Sequence, residues 1–441
     1  MMKSFDRLPD LGLRLRIVAM TPLSLQPLTE SLLHVVLSLA IGMSYVAHPA
    51  RQLCAALTTL WLVLAVFIPA GVSSWRIGLA LILLLNLRGV VLSEGPQPVS
   101  HMDYILIITA FLAAIRPNGC QYWQKCLAVC CWAIGFGAAL SLPKLILAIE
   151  TQSLPFRLGF LSINQTALLA GIGVCSALSC VLTATGRVTR LISAVPLLLC
   201  IMLAIGTHSR AALGFVPVSI LLASLLFQTG RPTTHPAPCR SILSKSSFLL
   251  AAIVALAAIV LHLHGAPRSD QLRNFYGEEN YMNDRGRAAV YSCYAAAPLT
   301  GENRFIYGVG YGNSSKDQCN MRQRIGRNLT HAHNLFLQVW AETGLVPGIA
   351  LLTCAAYVAR RLHLDQGSVW RRSKSVFCVE ARMRVAYNII IIYPILFSLV
   401  ELGMLKVPML TVLFGHLMGL GLQRVQAVDA AQELLAEVVE S

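Results

Sequence analysis

Residues 190–206 read RLISAVPLLLCIMLAIG and residues 211–228 read AALGFVPVSILLASLLFQ, with Thr207-His208-Ser209-Arg210 between them. Each run is apolar almost throughout and close to the roughly twenty residues that cross a bilayer's hydrocarbon as a helix. Neither run alternates polar with apolar residues as a barrel strand would, so helices are expected. The same pattern recurs near 31–48, 52–70, 75–92, 102–116, 127–148, 163–183, 247–264, 334–358, 385–403 and 406–423. The sequence therefore predicts an all-α polytopic membrane protein with about twelve transmembrane helices. Composition agrees: of 441 residues, 56% are hydrophobic and 12% charged, with a mean hydropathy of +0.65. A soluble domain carries roughly twice that charged fraction. A soluble enzyme, a disordered chain and a disulfide-stapled secreted domain are excluded.

The net charge of +15 resolves into topology rather than nucleic-acid binding. With the amino terminus inside, twenty of the 35 Lys and Arg residues fall in cytoplasmic segments, from Lys3 and Arg7 through Arg371, Arg372 and Arg424. Short outer loops and helix edges hold six: Arg51, Arg88, Lys144, Arg157, Arg210 and Lys406. That is a clear positive-inside bias. The remaining nine lie in one long outer loop. The expected organisation is a cytoplasmic segment over 1–30, nine spans over 31–264, a long outer loop over 265–332, three spans over 333–423 and a cytoplasmic tail over 424–441.

Basic residues through Arg16, with Pro9, Pro22 and Pro27, argue against a cleavable signal peptide. An amphipathic segment near Leu11–Met20, lying on the inner surface, fits better. Most of the thirteen cysteines fall inside spans, where Cys is a small hydrophobe. Cys293 and Cys319 lie in the long loop and can pair if it faces an oxidising compartment.

Transporters carry ionisable residues at mid-membrane. Here the span centres are nearly clean: His34, Asn86, Asn164 and His416 are the main polar residues within or near them. Polar chemistry gathers instead at the outer ends, in three stretches. In Gly206-Thr207-His208-Ser209-Arg210, Arg210 opens the outward end of the helix expected over 211–228, so guanidinium and free backbone N–H groups both face an anion, unless Arg210 merely snorkels. In Asp284-Arg285-Gly286-Arg287 through Tyr294, helical spacing puts Arg287, Tyr291 and Tyr294 on one face. Arginine beside aromatic rings suits a pyrophosphate next to sugars; the alternative is a cap over the membrane. In His331-Ala332-His333-Asn334 through Glu342-Thr343-Gly344-Leu345, two histidines sit at the positive end of a helix. That end disfavours imidazolium, and a neutral imidazole can take a proton, as a general base must. Gly308-Val309-Gly310-Tyr311-Gly312 has no helix following it in the nucleotide-site manner and reads as a turn.

This third stretch resembles the signature of the bacterial O-antigen ligase and polymerase superfamily. Ser209-Arg210, and Arg287 with Gly308-Val309-Gly310 downstream, match its other recurring elements in order. The resemblance spans about residues 160–360, and one large outer loop is similar to the ligase branch. It implies a C-type glycosyltransferase fold that needs no metal and no cofactor. It further implies an undecaprenyl-pyrophosphate-linked glycan as donor, a lipid A–core sugar hydroxyl as acceptor, and inversion at the anomeric carbon. The roles implied are His333 as base, since it directly precedes Asn334, with His331 as second choice. Arg210 and Arg287 would clamp the pyrophosphate with bidentate geometry, with Arg285, Tyr291 and Glu342 as further donor-binding residues. Arg322, Arg324 and Arg327 depart from the family pattern, and either contact phosphate or form a solvated face. Rivals are an O-antigen or exopolysaccharide polymerase, transfer to a pilin, and a lipid-glycan flippase without catalysis.

Overall fold

Ser162 and Gln165 show how the chain starts a buried helix. Ser162 Oγ accepts from Gln165 N at 3.3 Å, and Gln165 Oε1 accepts from Ser162 N at 2.9 Å. This reciprocal capping box pairs amides that would otherwise be left open where an apolar run begins. The helix that follows, α2 (Ile163–Thr183), has the bounds read from the sequence. Around it stand α1 (Gly119–Glu150), α3 (Arg187–Gly206), α4 (Arg210–Thr229), α5 (Asp284–Ala296), α6 (Glu302–Tyr307), α7 (Leu335–Thr343) and α8 (Lys374–Ser398). The computed structural model describes residues 35–41, 52–54, 56–58, 60, 119–151, 155–159, 161–184, 186–229, 284–300, 302–310, 332–345, 349, 374–400, 407 and 409–417. All regular structure among them is helical, and three helices are long and apolar enough to cross a membrane. The spans expected at 75–92, 102–116 and 247–264, and both terminal segments, lie outside the described residues.

Two helices form the centre. Side chains of α2 from Thr166 to Ser179 are buried around the whole helix, as are most described side chains of α8 from Val385 to Tyr393. A helix apolar on every side belongs inside a bundle. They run antiparallel: Tyr393 Oη donates to Ala167 O at 3.1 Å near one end, and Ser179 Oγ donates to Ala386 O at 2.7 Å near the other. Between apolar helices in lipid no hydrophobic force operates, so close approach of small residues has to do the packing. Gly171 permits this against Tyr393, since an added Cβ would overlap the phenol ring. Gly173 does the same against Cys200 and Ile134.

The outer helices α1 and α3 run parallel, for Gly135 meets Pro196 and Leu145 meets Gly206 in the same register. Their remaining faces carry exposed apolar rows: Trp132, Phe136 and Leu140 on α1, and Leu191, Val195, Leu198 and Met202 on α3. Large apolar side chains left exposed at helical spacing suit lipid. On α4 the buried row Ala212, Val216, Ile220 and Ala223 recurs at three- and four-residue steps, and α4 packs on α8.

These directions collect one set of termini at one end of the bundle. The carboxy ends of α1, α3 and α8 lie there, with the amino ends of α2 and α4. Phe156 N donates to Gly206 O at 2.8 Å, tying the segment before α2 to the turn before α4. Asn334 Nδ2 donates to Leu399 O at 2.7 Å, which brings the start of α7 to the same end.

Candidate active site

The helix α7 is built from three stripes at four-residue spacing. Leu335 and Val339 join the large core of the bundle. Leu337 and Ala341 face a small second core of Val290, Tyr294, Ala297 and Ala332. Asn334, Gln338 and Glu342 form a polar stripe between them. Asn334 is the N-cap, its Oδ1 accepting from Leu337 N at 3.0 Å. Gln338 Oε1 accepts from Ala332 N at 2.7 Å, and Gln338 Nε2 donates to Glu342 Oε1 at 2.5 Å. Gln338 and Glu342 are both buried.

The span expected over 334–358 opens one residue later, at Leu335, and its first helix ends after nine residues. Gly344 terminates it with φ +76. The cause is a close backbone approach from the 308–310 turn. Val309 N donates to Ala341 O at 2.9 Å and Gly310 N to Glu342 O at 3.1 Å. An added Cβ on Gly308, itself at φ +73, would collide with the Glu342 carbonyl, and one on Gly344 would collide with the Gly308 amide. Trp340 Nε1 donates to Ala295 O at 3.0 Å, and its ring meets Phe305 edge-on with centroids 6.1 Å apart. The glycine turn read from the sequence thus clamps the end of α7. Gly308→Ala should lower stability by about 1–3 kcal/mol, the usual cost of overpacking. Thermal unfolding in detergent checks this against Gly214→Ala, where an added Cβ meets nothing within 4 Å. Equal midpoints for the two variants would contradict the clamp.

His333 lies half-buried immediately before the N-cap, with φ +53. Among described non-glycine residues only His208 shares this backbone, at φ +50. It too precedes a helix cap: Ser209 Oγ accepts from Ala212 N at 3.4 Å, and Ser209 O from Leu213 N at 3.0 Å. A left-handed backbone costs a residue with a Cβ roughly 1–2 kcal/mol. Such strain gathers at functional sites. The sequence offered no sign of it at either histidine.

Arg210 is the first residue of α4, one position ahead of the expected start, so the backbone of the proposed clamp lies at the end of the bundle reached by α7. Arg285 and Arg287 lie on α5, which forms as the expected short loop helix. That helix packs against α7. Tyr291 is half-buried, whereas Tyr294, read as flanking sugar rings, is wholly buried in the small core. Glu342 is buried, accepting from Gln338. His331 and the Arg322, Arg324 and Arg327 cluster lie outside the described residues. Cys293 is disulfide-bonded, and Cys319, its expected partner, also lies outside them. Cys126, Cys130, Cys131, Cys175, Cys180 and Cys200 lie on the three helices long and apolar enough to cross a membrane and form no disulfide, as the small-hydrophobe reading expects. The residue that sequence reasoning missed is Gln338; its signal was the four-residue spacing from Asn334 to Glu342.

Among the described residues, His333 immediately precedes the N-cap of one helix, and the backbone of Arg210 begins another. Both helix ends favour negative charge, the arrangement that anionic leaving groups require.

Residues 195–353 match the family model described as O-antigen ligase. The match covers just over a third of the chain and includes the α3–α4 turn, α5, the glycine turn and α7. It supports the O-antigen ligase and polymerase superfamily and a glycosyltransferase-like activity in a membrane-embedded protein. No curated protein matches the chain.

Proposed function

We propose that this protein is an O-antigen ligase of the bacterial inner membrane, with its active site facing the periplasm. The donor is a glycan on undecaprenyl pyrophosphate and the acceptor is a hydroxyl of the lipid A–core. The observation that carries the reading is His333, strained at the start of α7, at the same bundle end as the start of α4. In the step, the acceptor oxygen bonds to the anomeric carbon and its proton passes to the His333 imidazole. The bond from that carbon to the pyrophosphate breaks, and undecaprenyl pyrophosphate leaves with the electron pair. Pyrophosphate on a lipid is already a good leaving group, so the protein needs only a base, positive charge and positioning. Arg210 and Arg287 supply the charge, while Arg285 and Tyr291 support the donor, with His331 as reserve base.

The test is the glycolipid profile of a strain lacking the protein, complemented with wild type or His333→Ala. Long polymer retained on the carrier beside bare lipid A–core supports the ligase. Core carrying a single repeat would make it a polymerase, with a second carrier-linked glycan as acceptor. Normal product with His333→Ala would favour a non-catalytic transporter of lipid-linked glycan. A second expected result concerns metals: transfer by the purified protein should persist after exhaustive chelation. Activity that falls on chelation and returns with a divalent ion would reject the metal-independent mechanism.

A further inference from the structure

We propose that Gln338 is a positioning residue for His333, acting through the backbone of Ala332 and itself aimed by Glu342. This rests on His333 being the base in the reaction above. The left-handed backbone of His333 is held from both sides. After it, Asn334 is fixed as N-cap and tied to Leu399 O at 2.7 Å. Before it, the buried Ala332 N donates to Gln338 Oε1 at 2.7 Å. A backbone N–H can only donate, so the amide must turn its oxygen toward Ala332 and its NH₂ away. Glu342, accepting from that NH₂ at 2.5 Å, selects the same orientation. Donors and acceptors thus run one way, from Ala332 through Gln338 to Glu342, in a place where water does not compete. Without the Gln338 oxygen, the buried Ala332 N–H loses its partner. The peptide before His333 then gains reason to rotate, and the imidazole moves with it.

The test uses full-length protein in lipid, lipid-linked donor and core acceptor, and four forms: wild type, Gln338→Leu, Gln338→Glu, and Gln338→Glu with Glu342→Gln. Gln338→Leu should lower kcat about 100-fold, the scale of a base displaced by an ångström, with donor KM nearly unchanged. Gln338→Glu should fall similarly, because two carboxylates then face each other without a donor between them. The double swap restores the order: the carboxylate introduced in place of Gln338 accepts from Ala332 N, and the amide introduced in place of Glu342 donates to that carboxylate. Turnover should return to within about tenfold of wild type, reversing most of that 100-fold loss. Wild-type kcat in Gln338→Leu, or a double swap no better than Gln338→Glu, would overturn the proposal.

A readout independent of transfer separates this from the proposed function. The rate at which diethyl pyrocarbonate modifies His333, followed on its peptide by mass spectrometry, should shift in Gln338→Leu and return in the swap. If that order holds in a protein without transferase activity, the positioning stands and the ligase reading falls. If transfer is intact in wild type but labelling ignores Gln338, the positioning falls alone.

Discussion

His333→Ala is expected to remove between about 100- and 10,000-fold of the transferase rate, the range supplied by a positioned general base. The protein should still insert and fold, because α7 keeps Asn334 as its N-cap and both apolar stripes. The control has to separate the imidazole from the backbone that presents it. Alanine keeps a Cβ at φ +53 and so keeps the strain, whereas glycine adopts that φ freely. His333→Gly should therefore be the more stable of the two and equally inactive. Initial rates on defined donor and acceptor, with thermal unfolding alongside, read both properties. A glycine variant that transfers glycan at the wild-type rate would mean that only the turn matters, and the base would have to be sought elsewhere.

Arg210→Ala should cost about 2.7–4 kcal/mol of transition-state stabilisation, or roughly 100- to 1000-fold in kcat, as for loss of one donor to a developing anion. Arg210 is the first residue of α4, at the end of the helix whose dipole favours an anion. The stability of α4 should barely change: its cap is Ser209, and its buried row begins at Ala212. Arg210→Lys tests geometry apart from charge. An ammonium lacks the two-pronged match to phosphate oxygens, so lysine should restore only a minor part of the rate. Wild-type activity in Arg210→Ala would reject the clamp.

How far the sequence could be read depended on the range of the determining contact. The bounds of α2 were legible because a local capping box and a continuous apolar run define them. Arg210 at a helix start, the short helix around Arg287, and the turn at Gly308 were legible for the same reason. The beginning of α1 was not: its first turns carry Gln121, Gln124 and Lys125, which lower hydropathy without preventing a helix. The break at Gly344 was hidden because hydropathy continues past it. What stops the helix is the distant Gly308, whose approach no local pattern reports. Tyr294 shows the limit of helical spacing, which groups residues on a face without saying what that face meets. Here it meets the small core. Gln338 was overlooked because a lone Gln in an apolar helix carries no chemistry until its partners are known.

The two apolar stripes of α7 make it a party wall: the membrane bundle leans on one side and the small outer core on the other. Neither compartment can be remodelled without disturbing the wall they share. For chimeras meant to change which acceptor is served, the natural cassette is therefore 284–345 in one piece, carrying α5, α6, the glycine turn and α7 together. Cutting between Gly310 and Ala332 would pair the outer half of one lineage with the wall of another.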